Sequence, residues 1–301
     1  MAALWTLDAT ALSEKIRKKE VSVTEAVKAH LDRMHAVNPK LNAVVRDLSD
    51  IALKEAAEGD AMIRRGDQVG IFHGLPITTK VNTDQRGLPT DNGVIPAKDL
   101  IAEEDNPCIA NLRRAGVVVI GRTNTPAFSM RMVTDNALHG QTWNPWGKQS
   151  TCGGSSGGAG AALAAGIGVM AQGNDIGGSI RFPAYCNGVV GLRPTPGRIP
   201  SYNGTASKAG HRAFATQLMS VQGPLARSVR DVTQMFAIMT HGDPRDPMWA
   251  PVPPSGPAPA KLKAALVIEP DLHPLAADAV RRAGALLKEA QFEVVEASPP
   301  G

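Results

Sequence analysis

Thr151-Cys-Gly-Gly-Ser-Ser-Gly-Gly-Ala-Gly160 and, shortly after it, Gly173-Asn-Asp-Ile-Gly-Gly-Ser-Ile-Arg-Phe-Pro183 are the stretches on which the reading of this chain turns. Of its 30 glycines, 10 fall between Gly153 and Gly178. Dense glycine lets backbone approach backbone or substrate closely and supplies positive φ where a turn needs it. A tight structural loop is the plainest account of such a run. A phosphate loop does not fit, because no Gly-Lys-Ser/Thr follows the glycines and Lys148 precedes them. A dinucleotide fingerprint does not fit either, since no GxGxxG stands at a strand-to-helix turn with a later acidic partner. Gly153 to Gly157 satisfies G-x-S-x-G, but that elbow needs a downstream acid and histidine. His211, His241 and His273 stand in no such context.

Two serines and a lysine make a fourth reading. Ser179 follows Ile176-Gly177-Gly178, a turn whose N–H groups can converge on one point and both present a nucleophile and hold an oxyanion. A serine nucleophile needs a base, and a lysine made neutral by desolvation can serve. Lys80 closes the apolar strand expected over Leu75–Val81, where its amine can point into a dry cleft.

Outward from these segments the chain alternates elements. Asp8 or Thr10 caps a first helix running to about Lys19, and Ser22-Val-Thr-Glu25 is a capping box opening a second that stops near Asn38-Pro39. A third helix covers Ile51 to Arg65 and ends at Gly66. Asn106-Pro107 starts a helix over Cys108–Ala115, and Val117–Ile120 reads as a buried strand. Five prolines in Pro251–Ala260 mark an extended linker. Beyond it lie a strand (Ala264–Ile268), a helix (about Leu275–Gln291) and a strand (Phe292–Glu296), a βαβ unit. This alternation predicts an α/β fold with a central twisted mixed sheet and helices on both faces. The expected divisions are N-terminal helices at 1–66, a catalytic core at 67–250, the linker at 251–260 and the βαβ segment at 261–301, all within one domain.

Composition excludes several functions. The 301 residues carry a net charge of +4, with 43% hydrophobic and 20% charged residues, the balance of an ordinary globular protein. Twelve aromatic residues and a weak charge excess argue against nucleic acid as a partner. No stretch is long and apolar enough for a membrane span, Gly158–Ala171 included, and Met1–Lys19 lacks the apolar segment of a signal peptide. The three cysteines, Cys108, Cys152 and Cys186, form neither a disulfide framework nor a zinc ribbon, so a reducing cytoplasm is expected.

The sequences GGSSGG, DIGGSIRFPA and Gly188-Val-Val-Gly-Leu-Arg-Pro-Thr195, with His73-Gly-Leu-Pro-Ile-Thr-Thr-Lys80 and Gly121-Arg-Thr-Asn-Thr-Pro126 upstream, strongly resemble the amidase signature family. Lys80 and Ser155 stand 75 positions apart, and Ser155 and Ser179 stand 24 apart, as that family's triad requires. The resemblance implies that Ser179 is the acyl-forming nucleophile, that Ser155, after a cis peptide bond, relays the proton, and that Lys80 is the base. It implies an oxyanion hole from the N–H groups of Ile176, Gly177, Gly178 and Ser179, and no metal or cofactor. The substrate would be a small-molecule amide, ester or carbamate, and the reading leaves room for a homodimer.

Around this triad, Asp175 and Arg181 are expected to pair and shape the loop carrying Ser179. Ser156 is expected to bond locally. His73 and His139 read as structural, Cys152 as a small loop residue, and Met130 and Met132 as core residues or a soft pocket wall. The chain departs from the family in having Val81 where Asp is usual, Asn174 where Thr is usual, Cys152 where Pro is common and Ala127 where Glu is common. Asn174 can donate through its amide beside the relay. Family members usually run well beyond the βαβ unit, so the C-terminal part of the fold is expected to be missing. The functions in competition are an amide hydrolase, an esterase, anilide or carbamate hydrolase with the same triad, the glutamine amidase of tRNA-charging complexes, and an inert fragment or scaffold.

Overall fold

Helix starts form where the sequence writes them. Asp8 caps α1 (Ala9–Arg17) by accepting from the Ala11 N–H, and Ser22 and Glu25 close the capping box of α2 (Val23–Leu41). α2 continues past the expected stop at Asn38-Pro39. A proline in the final turn removes one backbone hydrogen bond rather than a run of them, and the helix ends at Asn42, left-handed with φ 50°. β1 (Val44–Asp47) leads into α3 (Ser49–Arg65), which ends at left-handed Gly66.

In the computed structural model, residues 3–208, 214–256 and 262–298 are described. The chain divides into two compact units, Met1–Pro254 and Ser255–Gly301. The first continues with β2 (Pro76–Lys80), α4 (Pro107–Arg114), β3 (Val118–Thr123), α5 (Gly157–Ala164), β4 (Met170–Asp175), α6 (Arg181–Asn187) and β5 (Val190–Gly191). It closes with α7 (Gly204–Lys208), α8 (Phe214–Met219), β6 (Val221–Ala226) and α9 (Val229–Met239). Its six strands form one sheet in the order β1-β3-β2-β4-β6-β5. The two inner pairings, β3 with β2 and β2 with β4, are parallel, and the outer ones are antiparallel. The sheet is therefore mixed.

Helices cover both faces. Ala171 pairs with Leu225 and packs with Ala159 and Leu163 of α5 and Ala184 of α6. Their strand neighbours Met170 and Ala226 pair in turn and join Met235 and Met239 of α9 in the larger core. Successive strand residues face opposite sides, so the two clusters lie on the two sides of β4 and β6. The sheet interior also holds paired polar side chains: Gln172 Nε2 donates to Gln222 at 2.7 Å, and Thr79 donates to Gln85 at 2.8 Å.

The second unit contains β7 (Lys263–Leu266), α10 (Pro274–Glu289) and β8 (Glu293–Glu296), with β7 and β8 parallel in a two-stranded sheet of their own. Of the proline-rich stretch, residues 257–260 lie outside the described residues, while the carbonyls of Val252 and Pro253 accept from Arg198. Among the described residues no helix is long and apolar enough to cross a membrane.

Candidate active site

β2 and β4 run parallel side by side, and their carboxyl ends carry the chemistry-bearing residues. Lys80 is the last residue of β2, and the turn holding Ser179 follows the last residue of β4. Crevices at such strand ends are where α/β sheets bind ligands. The Gly-rich segment enters from the side: a cis peptide joins Gly154 to Ser155, and Ser156 precedes the first turn of α5. Gly173 on β4 makes room for this segment, because a Cβ there would lie 2.9 Å from both Ser156 Oγ and a Leu225 methyl.

Lys80 is fully buried, and its Nζ donates to Ser155 Oγ at 2.7 Å and to Asn174 Oδ1 at 2.8 Å. Burial drives the Lys80 amine well below the usual lysine range, against the opposing pull of the Asp175 charge. A neutral amine can accept the Ser155 proton, so the pair has the elements of a base and its relay.

Ser179 is half-buried and joined to the Ser155 loop through backbone, the Ser156 N–H donating to the Ser179 carbonyl at 3.0 Å. Among the described residues its hydroxyl makes no hydrogen bond to Ser155. The turn presenting it is organised by Asp175, which accepts from the N–H groups of Gly178 at 2.8 Å and Ile180 at 2.9 Å and from Arg181 Nη2 at 3.0 Å. Burial pulls the Asp175 carboxyl upward, but Arg181 and these N–H groups outweigh it and hold it at about 2. The expected pairing of Asp175 with Arg181 is present, and Arg193 adds a further ion pair at 3.6 Å.

Several expectations change. Gly178, with φ 117°, turns its N–H onto Asp175 and away from the expected oxyanion hole. The N–H groups of Ile176, Gly177 and Ser179 have no protein acceptor among the described residues and form the remaining donor set. Asn174 presents its carbonyl, not its amide, to the relay, because a lysine amine already supplies donors there. Ser156 bonds within its own turn and beyond it: its carbonyl accepts from the Gly160 N–H, its N–H reaches Ser179 and its hydroxyl reaches the Asn174 carbonyl at 3.3 Å. Met130 and Met132 are not core residues, being 81% and 45% exposed. Their alternate spacing is not a strand, because Phe128 and Ser129 are both left-handed and throw the segment outward. Met132 still borders the site, with its Cε 3.3 Å from where a Cβ on Gly178 would stand.

Two site residues were not singled out from the sequence. Asn82 exchanges hydrogen bonds with Asn174, and Ser129 accepts from Asn82 at 2.8 Å. Asn82 stands two residues beyond Lys80, and that proximity was the one available signal. The other candidates are accounted for elsewhere. Burial raises the Cys152 thiol to about 11, as suits a packed loop residue. His73 Nε2 lies 3.0 Å from the Gly59 carbonyl, and His139 sits 3.1 Å from Asp91. His241 bonds the Ile238 carbonyl, His273 caps α10, and His211 lies outside the described residues. Among the described residues no three His, Cys, Asp or Glu side chains are grouped to hold a metal ion.

Comparison with known proteins bears on this arrangement. The family described as Amidase matches residues 25–301. An indoleacetamide hydrolase of Bradyrhizobium diazoefficiens is 52% identical over 99% of the chain, which spans 57% of that relative's length. Among solved structures, a fatty acid amide hydrolase superposes with TM-score 0.89 at 31% identity, covering 99% of this chain and 54% of its own. A 6-aminohexanoate cyclic dimer hydrolase complexed with substrate gives TM-score 0.85 at 32% identity, covering 99% of this chain and 62% of its own.

Proposed function

The chain belongs to the amidase family, and on that premise we propose that it is a serine hydrolase cleaving the C–N bond of small to medium non-peptide amides through an acyl-enzyme on Ser179. The observation that carries the proposal is a fully buried lysine amine 2.7 Å from Ser155, in the loop tied by backbone to Ser179.

In the first half-reaction Ser179 Oγ attacks the amide carbon while its proton passes to Ser155 and the Ser155 proton passes to Lys80. The carbonyl oxygen takes the negative charge against the N–H groups of Ile176, Gly177 and Ser179. The C–N bond then breaks as Lys80 returns a proton through Ser155 to the leaving nitrogen. Water repeats the sequence on the acyl-serine, so amide and water become acid and amine. The Ser155–Ser179 hydrogen bond this requires is of the kind that tightens on substrate binding.

The 52% identity with an indoleacetamide hydrolase favours aryl-acetamides among candidate substrates, and the exposed Met132 and Ile176 beside Ser179 suit an apolar acyl group. A fluorophosphonate tests the reading: stoichiometric modification at Ser179, lost in Ser179→Ala together with amide turnover, is the expected result. A folded chain that is not labelled and turns over no amide would overturn it. Matched amide, ester and carbamate substrates then rank the bonds cleaved.

A further inference from the structure

The hydrogen bonds around Lys80 extend one residue beyond the relay. Asn174 Nδ2 donates to Asn82 Oδ1 at 2.8 Å, and Asn82 Nδ2 donates back to Asn174 Oδ1 at 3.2 Å. Two primary amides thus face each other in a closed, reciprocal pair. A primary amide has a donor end and an acceptor end that differ little in shape, so its direction is set by what surrounds it. Two hydroxyls flank Asn82 on its other sides. Its second N–H donates to Ser129 Oγ at 2.8 Å, and its oxygen accepts from Thr83 Oγ1 at 3.3 Å. Ser129 is held in turn by Thr125 Oγ1 at 2.9 Å. Turning Asn82 alone over would set its NH2 group against the Asn174 NH2 and its oxygen against the Asn174 oxygen, so the two amides keep complementary directions.

We propose that Asn82 is a positioning residue that locks the Asn174 amide with its oxygen toward Lys80, and so sets the proton affinity and rotation of the catalytic amine. The role in catalysis rests on the function proposed above; the orientation itself does not. An amide oxygen only accepts, so it takes one N–H of the lysine in either protonation state. The neutral amine is then left with its lone pair and one N–H to share with Ser155. The same oxygen stabilises the ammonium form and counters burial. The charged groups facing this cluster are Asp175 at the end of β4, and Arg122 on β3, whose Nη2 donates to the Lys80 carbonyl at 2.9 Å. Neither contacts the amide pair among the described residues.

The decisive measurement is the titration of the Lys80 side chain by NMR in the chain carrying labelled lysine, run beside the pH profile of amide hydrolysis. Asn82→Ala releases the Asn174 amide and weakens the acceptor, so the titration moves down by about one pH unit. Asn82→Asp keeps an acceptor for Asn174 Nδ2 and adds a negative charge, so the titration moves up. In the Asn174→Ala background, Asn82→Ala produces no further shift, because Asn82 acts through Asn174. The acid limb of kcat follows the same signs, with kcat falling about tenfold in Asn82→Ala and KM staying within about twofold. Titrations that stay put in both Asn82 variants, or Asn82→Ala shifts that persist without Asn174, overturn the proposal. Opposite shifts in a chain whose Ser179→Ala variant retains full turnover would instead leave the amide lock standing and remove the assigned nucleophile.

Discussion

Lys80 and Arg122 sit on neighbouring parallel strands, both fully buried, and neither has a carboxylate within hydrogen-bonding reach among the described residues. Their surroundings differ in one respect. Arg122 is ringed by main-chain carbonyls, those of Pro89, Lys80 and Thr83, all of which can only accept. Burial lowers it to about 10, so it remains a cation at neutral pH. Lys80 meets a serine hydroxyl and an amide oxygen, and burial takes it well below the ordinary lysine value of 10.5. A ring of pure acceptors holds a permanent charge. A hydroxyl, which can give a proton as readily as take one, suits a group whose charge must come and go. On the proposed reading, the two buried basic side chains therefore separate structure from chemistry within a few ångströms.

Lys80→Met is the largest test of that separation. Amide turnover should fall by about 10³-fold or more, while the melting temperature holds or rises because a buried amine is replaced by an apolar chain of similar length. A drop in melting temperature exceeding that of an Arg122 variant would reverse the assignment. Asp175→Asn comes next. Loss of the charge that orders the Ser179 turn should lower kcat by about 10²-fold. It should also move the acid limb of activity to lower pH, since Asp175 favours the lysine ammonium.

Arg122→Met is the mirror of the first test. It strips donors from three buried carbonyls and should cost about 3 kcal/mol in denaturant unfolding, with each folded molecule retaining far more activity than Lys80→Met. The pH dependence of stability separates the two side chains again. The unfolded chain holds the Lys80 proton up to 10.5 and the folded chain releases it earlier, so the unfolded state binds more protons in between. Stability should rise with pH across that window and be flat below it, and the rise should shrink in Lys80→Met. The smallest effect belongs to the rim: Met132→Ala should alter KM for apolar amides a few-fold and leave stability within about 0.5 kcal/mol, as exposed substitutions do.

Much of the site was legible because its chemistry is written in local signatures. The glycine runs, Lys80 at a strand end and the Asp175–Arg181 pair all stand within short motifs, and the capping residues Asp8, Ser22 and Glu25 act on neighbours three residues away. What escaped depends on contacts between distant segments. β6 reads Val-Gln-Gly-Pro-Leu-Ala, with glycine, proline and glutamine arguing against a central strand, yet all six residues are buried. Its other edge pairs with the two-residue β5, and its glutamine is satisfied by Gln172 on β4, which no sequence window contains. The Gly178 N–H escaped for a related reason: four N–H groups in a row look equivalent until the Asp175 carboxylate is seen to take one. Arg122, a charged residue at the end of an apolar run, gives no sign of burial until carbonyls from the end of β2 and the segment after it, more than thirty positions earlier in the chain, close over it.

The pairing of β2 with β4 also has a consequence for the order of events in folding. Lys80 and Asn174 are 94 positions apart, and Lys80 and Ser155 are 75 apart. Contacts of such separation form only after long loops have closed, late in assembly and at the expense of chain entropy. A partly folded chain can hold its capped helices and the turn around Asp175 while the lysine is still in water, fully protonated and unable to act as a base. The nucleophilic competence proposed for Ser179 would thus arrive as one of the last properties of the folding molecule, and its appearance would serve as a clock for the closure of the central sheet.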